Sequence, residues 1–434
     1  MKRKIYDKIL EWKSSKNRKP LLMFGARQVG KTYIIREFCK NEYENFHEVN
    51  LFHNEYIINI YESKMNAEEK FKELLAIAGV KEINENTVLF VDEVQESPSL
   101  ISNLKYIYEE HPDLNIICAG SLLGVSLKRN KNKKAFPVGK VDMLDMYQMD
   151  FEEFLMAIDE DLLISEIKKS YETNKPLLES FHNHALAYYR QYLYVGGMPE
   201  AVQNFIEQEK NAASFDSSIL TNIINAYYED MFKYVDNNSE TVKIKATYSS
   251  IPSQLANDSH KFQYSKINTN SRKRDYELPL DWLLESRIVL QSFNVKTPSV
   301  PVKMFLDIDT FKMYLNDVGL LRSMMELNYS DIVDGKFNGL IAENYVAFHL
   351  KSSLNKTLTY YKNESSTLEI DFLIQNEDGI IPVEVKSSDN TQSKSLKTYV
   401  DNFNPKYSIR VSSKNFGFVN NIKTVPLYAV FCIK

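Results

Sequence analysis

Three observations predict an α/β chain divided among several domains. In the N-terminal third, short β-branched and apolar runs alternate with stretches of helical spacing, the pattern of a parallel sheet covered by helices. Between 151 and 240 that alternation gives way to helical spacing alone. From about 335 onward strands return, now with acidic residues inside apolar runs. At 434 residues the chain exceeds one ordinary core, and two or three domains fit the usual sizes. The pattern divides it at 1–150, 151–240, 241–330 and 331–434.

Hydrophobic residues make up 44% and charged residues 26%, the balance of a folded chain rather than a disordered one. The basic N-terminus, MKRKIYDKILEWKSSKNRK, holds no apolar segment, and nowhere is there a run of about 18 apolar residues. A soluble, cytoplasmic protein with no membrane partner is therefore expected. Cys39, Cys118 and Cys432 stand far apart, without CxxC spacing or companion histidines, so neither a disulfide framework nor a zinc site is implied. The formal charge of −5 gives no global pull toward nucleic acid, which leaves local patches. Lys128 to Lys134 (KRNKNKK) is one, either a solvated loop or a phosphate-contacting one.

The first elements carry a more specific signal. Residues 20–24 (PLLMF) read as a buried strand, and the segment after Thr32 has amphipathic helical spacing. Between them Gly25, Ala26, Arg27, Gln28, Val29, Gly30, Lys31 and Thr32 satisfy GxxxxGK[ST] in the strand-to-helix context that motif requires. Glycines let the backbone curl so that N–H groups converge on phosphate oxygens, and the helix N-terminus adds positive potential. Lys31 reaches the outer phosphates, and Thr32 ligates their magnesium. A second run, Thr87 to Val91, ends in Asp92-Glu93 at the carboxyl end of a buried strand, where α/β sheets bind ligands. Asp92 is expected to support the magnesium, and Glu93 to polarise an attacking water. A third strand, Leu114 to Ala119, ends at Gly120-Ser121; Ser121 is either a γ-phosphate sensor or an ordinary helix N-cap. ATP and Mg2+ are the cofactors these motifs call for.

GARQVGKT, FVDEVQ and AGSLLG, followed by FEEFL (Phe151 to Leu155) and VGGMPEAV (Val195 to Val202), resemble the prokaryotic AAA-type P-loop ATPases that end in a domain of unknown function (DUF4143). The resemblance runs over nearly the whole chain. It implies an AAA-type ATPase domain, a helical lid, and self-assembly as an open possibility. Where that family usually carries an arginine before FEEFL, this chain has Val138-Gly139-Lys140. A lysine lacks the planar fork of an arginine finger, and Arg129 is the substitute.

In the middle, FEEFLMAI and AYYRQYLYV have helical spacing, broken at Gly196-Gly197-Met198-Pro199 by either a tight domain joint or plain loop punctuation. Helices are expected at Lys243–Leu255, Tyr264–Arg274 and Leu278–Ser286, then an extended segment from Arg287 to Phe293. That order suits a winged helix, which the family resemblance also implies. Lys266, Arg272, Lys273 and Arg274 would then contact DNA phosphates, or the unit serves only for packing.

In the last part, Gly339 to Leu350 reads as an amphipathic helix carrying Glu343. Leu368 to Ile374 reads as a strand with Asp371 inside it. Ile380 to Lys386 follows after a turn at Glu377-Asp378-Gly379, with Glu384 and Lys386 on one face. Carboxylates in apolar strands are costly unless paired or bound to metal. Asp371 and Glu384 can share a magnesium, with Lys386 at the attacking water and Glu343 completing the shell. This spacing resembles the PD-(D/E)xK nucleases and implies a restriction-endonuclease-like α/β domain. Alternatively, Lys386 simply neutralises Glu384 or Asp371. The leading expectation is an ATPase whose nucleotide state controls a nuclease-like domain acting on DNA or another nucleic acid. The alternative is a signalling or scaffold ATPase whose last domain binds a protein partner and never cuts.

Overall fold

The computed structural model describes residues 1–129, 136–233, 238–257, 261–335, 337–365, 367–387 and 394–434, without the side chains of Lys128 and Arg129. The basic run from Lys128 to Lys134 and the arginine-finger substitute therefore lie outside the described side chains. The first part runs α1 (Ile5–Ser14), β1 (Leu21–Phe24), α2 (Lys31–Glu42), β2 (Asn45–Asn50), α3 (Glu55–Glu62), α4 (Ala67–Ala78), β3 (Thr87–Asp92), α5 (Pro98–Glu110), β4 (Asn115–Ala119), α6 (Leu123–Arg129) and β5 (Asp142–Asp145). Helices follow as α7 (Phe151–Ala157), α8 (Asp161–Thr173), α9 (Glu179–Val195), α10 (Pro199–Glu207), α11 (Ser218–Asp230), α12 (Asn238–Leu255) and α13 (Glu277–Glu285). The chain continues as β6 (Val289–Val295), β7 (Leu306–Leu315), α14 (Val318–Met324), α15 (Tyr329–Val333), α16 (Asn338–Leu354) and β8 (Leu358–Lys362). It ends with β9 (Glu369–Ile370), β10 (Phe372–Asn376), β11 (Gly379–Val385), α17 (Lys394–Phe403), β12 (Ser408–Ser412), β13 (Gly417–Val419) and β14 (Ile422–Pro426).

The first sheet is parallel throughout, in the order β2-β3-β4-β1-β5. Its central strands are buried on both faces: Leu21 and Met23 join one apolar cluster, Leu22 and Phe24 the other. The edge strands β2 (NFHEVN) and β5 (DMLD) are only partly buried. An edge strand tolerates polar residues on its open side, which is why neither shows as an apolar run.

Gly196 and Gly197 form a crowded joint. Gly197 donates its N–H to Asp317 Oδ2 at 2.7 Å, and its carbonyl accepts from Met149 N at 2.8 Å. A Cβ at Gly197 would lie 1.9 Å from the Met149 carbonyl oxygen, so a side chain is excluded there. Asp317 also caps α14 by accepting from Leu320 N. First domain, helical region and α14 thus meet on one glycine pair.

Residues 264–274 depart from the expected helix. They form two single turns, Tyr264–Lys266 and Lys273–Asp275, because Asn268 and Ser271 bond their own neighbourhood: Asn268 Oδ1 accepts from Asn270 N, and Ser271 Oγ donates to Tyr276 OH. No recognition helix is presented here. Lys273 pairs with Asp309, and Arg274 lies 3.8 Å from Asp275.

Two further sheets build the last part. One has the order β10-β11-β12-β14-β13 and the other β7-β6-β8-β9. The second joins strands from both sides of residue 330: β6 pairs antiparallel with β7 and parallel with β8. α16 is buried on every face from Leu340 to Leu350, not on one stripe. Its polar residues have internal partners. Asn344 brackets Leu315 through both backbone groups, and His349 Nε2 accepts from Phe151 N at 2.9 Å. Among the described residues no helix is long and apolar enough to cross a membrane.

Candidate functional site

β1 leads into the loop at Gly25, and α2 begins at Lys31. The turn needs Gly30, whose φ of 93° is left-handed. Gly25 is equally constrained, since a Cβ there would sit 2.4 Å from the Met146 carbonyl oxygen. Lys31 is buried, and its ammonium donates to the carbonyls of Gly25 and Ala26 at 2.9 and 2.7 Å. Burial lowers its pKa to about 8. Thr32 Oγ1 donates to Asp92 Oδ2 at 3.0 Å, and Asn50 Nδ2 reaches the same oxygen at 3.3 Å. Burial and the neighbouring Glu93 raise the Asp92 carboxyl above its ordinary value.

β4 lies between β1 and β3, so its tip, Gly120-Ser121, stands between the loop and Asp92-Glu93. Glu93 is held by Gln95, whose Nε2 donates to Glu93 Oε2 at 2.5 Å. Gln95 in turn leaves no room for a side chain at Gly120, where a Cβ would fall 2.1 Å from Gln95 Oε1. A cavity of ≈ 610 Å³ opens over these groups, lined among others by Arg27, Lys31, Thr32, Asp92, Glu93 and Ser121. Its size and donor set fit a magnesium–nucleotide: a loop of backbone amides at a helix N-terminus, a buried ammonium, and a hydroxyl beside a carboxylate.

Three contacts that are not legible in the motifs hold the loop from outside. Arg3 donates to Val29 O at 3.0 Å, to Tyr147 O at 2.6 Å and to Glu153 Oε1 at 3.1 Å. Glu153 belongs to the capping box that Asp150 forms at the start of α7, whereas Glu152, the other acid of FEEFL, pairs with Lys4 and Lys168. From the other side, α11 grips Arg27: Asp230 accepts from its guanidinium, and Tyr227 OH donates to its carbonyl at 3.2 Å. Lys140 pairs with Glu109 of α5 at 2.9 Å.

The last part brings Glu343, Asp371, Glu384 and Lys386 into one cluster, together with residues that the sequence reading missed. The expected strand from Leu368 to Ile374 breaks at Asp371, because β9 pairs with β8 whereas β10 pairs with β11. At the break, Asp371 Oδ2 accepts from Val385 N at 2.7 Å. Burial, then Glu384 and Glu343, push its carboxyl well above the usual carboxylate range. Lys386 lies 2.7 Å from Glu384 Oε1. Lys312 of β7 is fully buried and donates to Glu343 Oε1 at 2.9 Å, with Glu369 Oε1 also at 2.9 Å. Tyr314 OH donates to the same Glu343 oxygen at 2.6 Å. Burial opposes the charge on Lys312, yet Glu343, Glu369 and Asp371 hold its pKa above the ordinary value.

As arranged, the Lys312 ammonium pairs with Glu343 and Asp371 accepts from the Val385 amide. Among the described residues no group of three or more His, Cys, Asp or Glu is disposed to hold a metal ion.

Residues 17–155 match the family model of an AAA domain. Residues 186–331 match a domain of unknown function (DUF8612), and residues 338–430 match another (DUF4143). No curated protein matches the chain. Among solved structures, the Walker-type ATPase of Pyrococcus abyssi is 16% identical, with 75% of this chain and 96% of that one covered at a TM-score of 0.45. The Aeropyrum pernix ORC2 protein, in ADPNP–ADP complexes, is 12% identical, with 77% and 92% covered at a TM-score of 0.34. The AAA-domain match spans the glycine loop and the strands around it, and the DUF4143 match spans α16 and the carboxylate cluster.

Proposed function

We propose that this protein binds and hydrolyses ATP, and that nucleotide state controls its C-terminal, nuclease-like domain, which acts on or binds nucleic acid. The observation that carries the reading is the convergence of Lys31, Thr32, Asp92 and Glu93 on one cavity. The amides from Gly25 to Gly30 and the Lys31 ammonium hold the phosphates. Thr32 and Asp92 hold Mg2+, which when bound neutralises phosphate charge. Glu93, oriented by Gln95, accepts a proton from the attacking water, and Ser121 contacts the terminal phosphate. Control of the last domain is supported by continuous packing: α11 touches both the loop and α14, and α14 packs on α16.

The ion pairs of Lys312 favour a second reading for the last domain. With Glu343 neutralised from within, the cluster serves as an internal brace, and the domain binds a protein partner without cutting. One experiment separates the two: linear, circular and single-stranded DNA and RNA are incubated with magnesium or manganese, with and without ATP, beside D371A and K31A. Cleavage lost in D371A supports the nuclease. No cleavage with ATP turnover intact supports the scaffold. Turnover that survives K31A would sink the ATPase reading itself.

A further inference from the structure

Arg27 stands third in the phosphate loop, where the backbone cradle makes no use of a cation. Arg27 lines the nucleotide cavity beside Lys31, Thr32 and Glu93, and its guanidinium is paired with Asp230 at the end of α11. The two partners differ sharply in setting. The Asp230 side chain is 4% exposed and the Arg27 side chain 42%, so the carboxylate is fixed and the guanidinium has room to turn.

Two details make exchange feasible. Lys233 lies 3.3 Å from Asp230, so the departure of Arg27 would not strand a buried carboxylate without a counter-charge, the costly outcome for such pairs. Meanwhile Tyr227 OH holds the Arg27 carbonyl, which keeps the loop in place while the side chain swings.

We propose that Arg27 is a triphosphate sensor acting within its own chain: it exchanges Asp230 for the γ-phosphate of the nucleotide, which leaves Tyr227 as the hydrogen bond from α11 to the Arg27 carbonyl and frees the end of the helix at Asp230. This rests on the ATPase reading. A guanidinium matches a phosphate with paired donors, and a diphosphate has no γ-phosphate to meet it. The Arg27–Asp230 pair therefore distinguishes ATP from ADP and passes that difference to α11 and, through α14, to α16.

The test is calorimetric binding of ATPγS and of ADP to the full chain and to its R27A, R27K and D230N variants, with thermal melts to establish folding. R27A should weaken ATPγS about tenfold or more while changing ADP about twofold or less, the loss of a charge-assisted hydrogen bond to one ligand only. R27K should fall between, because lysine keeps the charge without the fork. D230N removes the competing carboxylate and should tighten ATPγS by about threefold to tenfold relative to ADP. Equal losses for both nucleotides in R27A, or an unchanged ratio in D230N, would overturn the proposal while leaving the ATPase reading in place. If the unsubstituted chain binds neither nucleotide, the ATPase reading fails and the sensor falls with it.

Discussion

Lys31 combines burial with two carbonyl partners, and its lowered pKa of about 8 has a defined sign. Between about pH 8 and its ordinary value of 10.5 the amine is neutral in the nucleotide-free fold but protonated in the unfolded chain. Its contribution to stability therefore rises with pH across that window. Phosphates restore the charge, so nucleotide binding should weaken as pH rises past about 8 and take up about one proton at pH 9. Calorimetry in two buffers of different ionisation heat measures this, and no uptake would contradict the assignment. Lys31 and its loop were legible because their geometry is local, a strand, a turn and a helix within a dozen residues. Arg3 and Lys312 were not, because their work depends on distant partners. Arg3 meets Glu153, and Lys312 meets Glu343 across a sheet and a helix. An isolated lysine in Phe-Lys-Met-Tyr gives no sign that it will be buried among carboxylates.

Among the elements, the Gly196–Gly197 joint makes the sharpest demand. G197A places a methyl 1.9 Å from the Met149 carbonyl and should cost about 3 kcal/mol or more, since the backbone around it must shift. G339A serves as the contrast. Nothing lies within 4 Å of its added Cβ, and it sits in α16, so it should stabilise by about 0.5–1 kcal/mol through helix propensity. Urea unfolding of the two variants checks both, and a neutral G197A would refute the crowding argument. The sequence left two readings for this glycine pair, and spatial crowding decides for a joint. Elements whose burial was two-sided, such as β1, β3 and β4, were legible from their apolar runs. Elsewhere local side-chain bonding replaced the expected helix at 264–274, and a change of sheet broke the expected strand at Asp371. Periodicity reports which face is wet, not which sheet a strand will join.

For the whole molecule, α16 is the shared core, and His349 ties it to the start of α7. Burial lowers the imidazole pKa to about 4, with Asp150, Lys4 and Glu152 around it. Its Nδ1 faces the Tyr345 carbonyl, so Nε2 is the acceptor for Phe151 N. The unfolded chain takes up a proton near pH 6.5, but the folded one does not until about 4. Stability should therefore fall as pH drops through that window, by about 3 kcal/mol at its lower end. His349→Gln should flatten the slope in thermal melts between pH 7 and 4; an unchanged slope would mean that other groups set the acid response. The sheet β7-β6-β8-β9 has a consequence for where the chain can be cut. The two family models part between residues 331 and 338, yet a cut there would leave β8 without β6 and Glu343 without Lys312. A fragment that begins at residue 338 should therefore fail to fold by itself, whereas one that begins before Val289 keeps both the β6–β8 pairing and the Lys312–Glu343 bond.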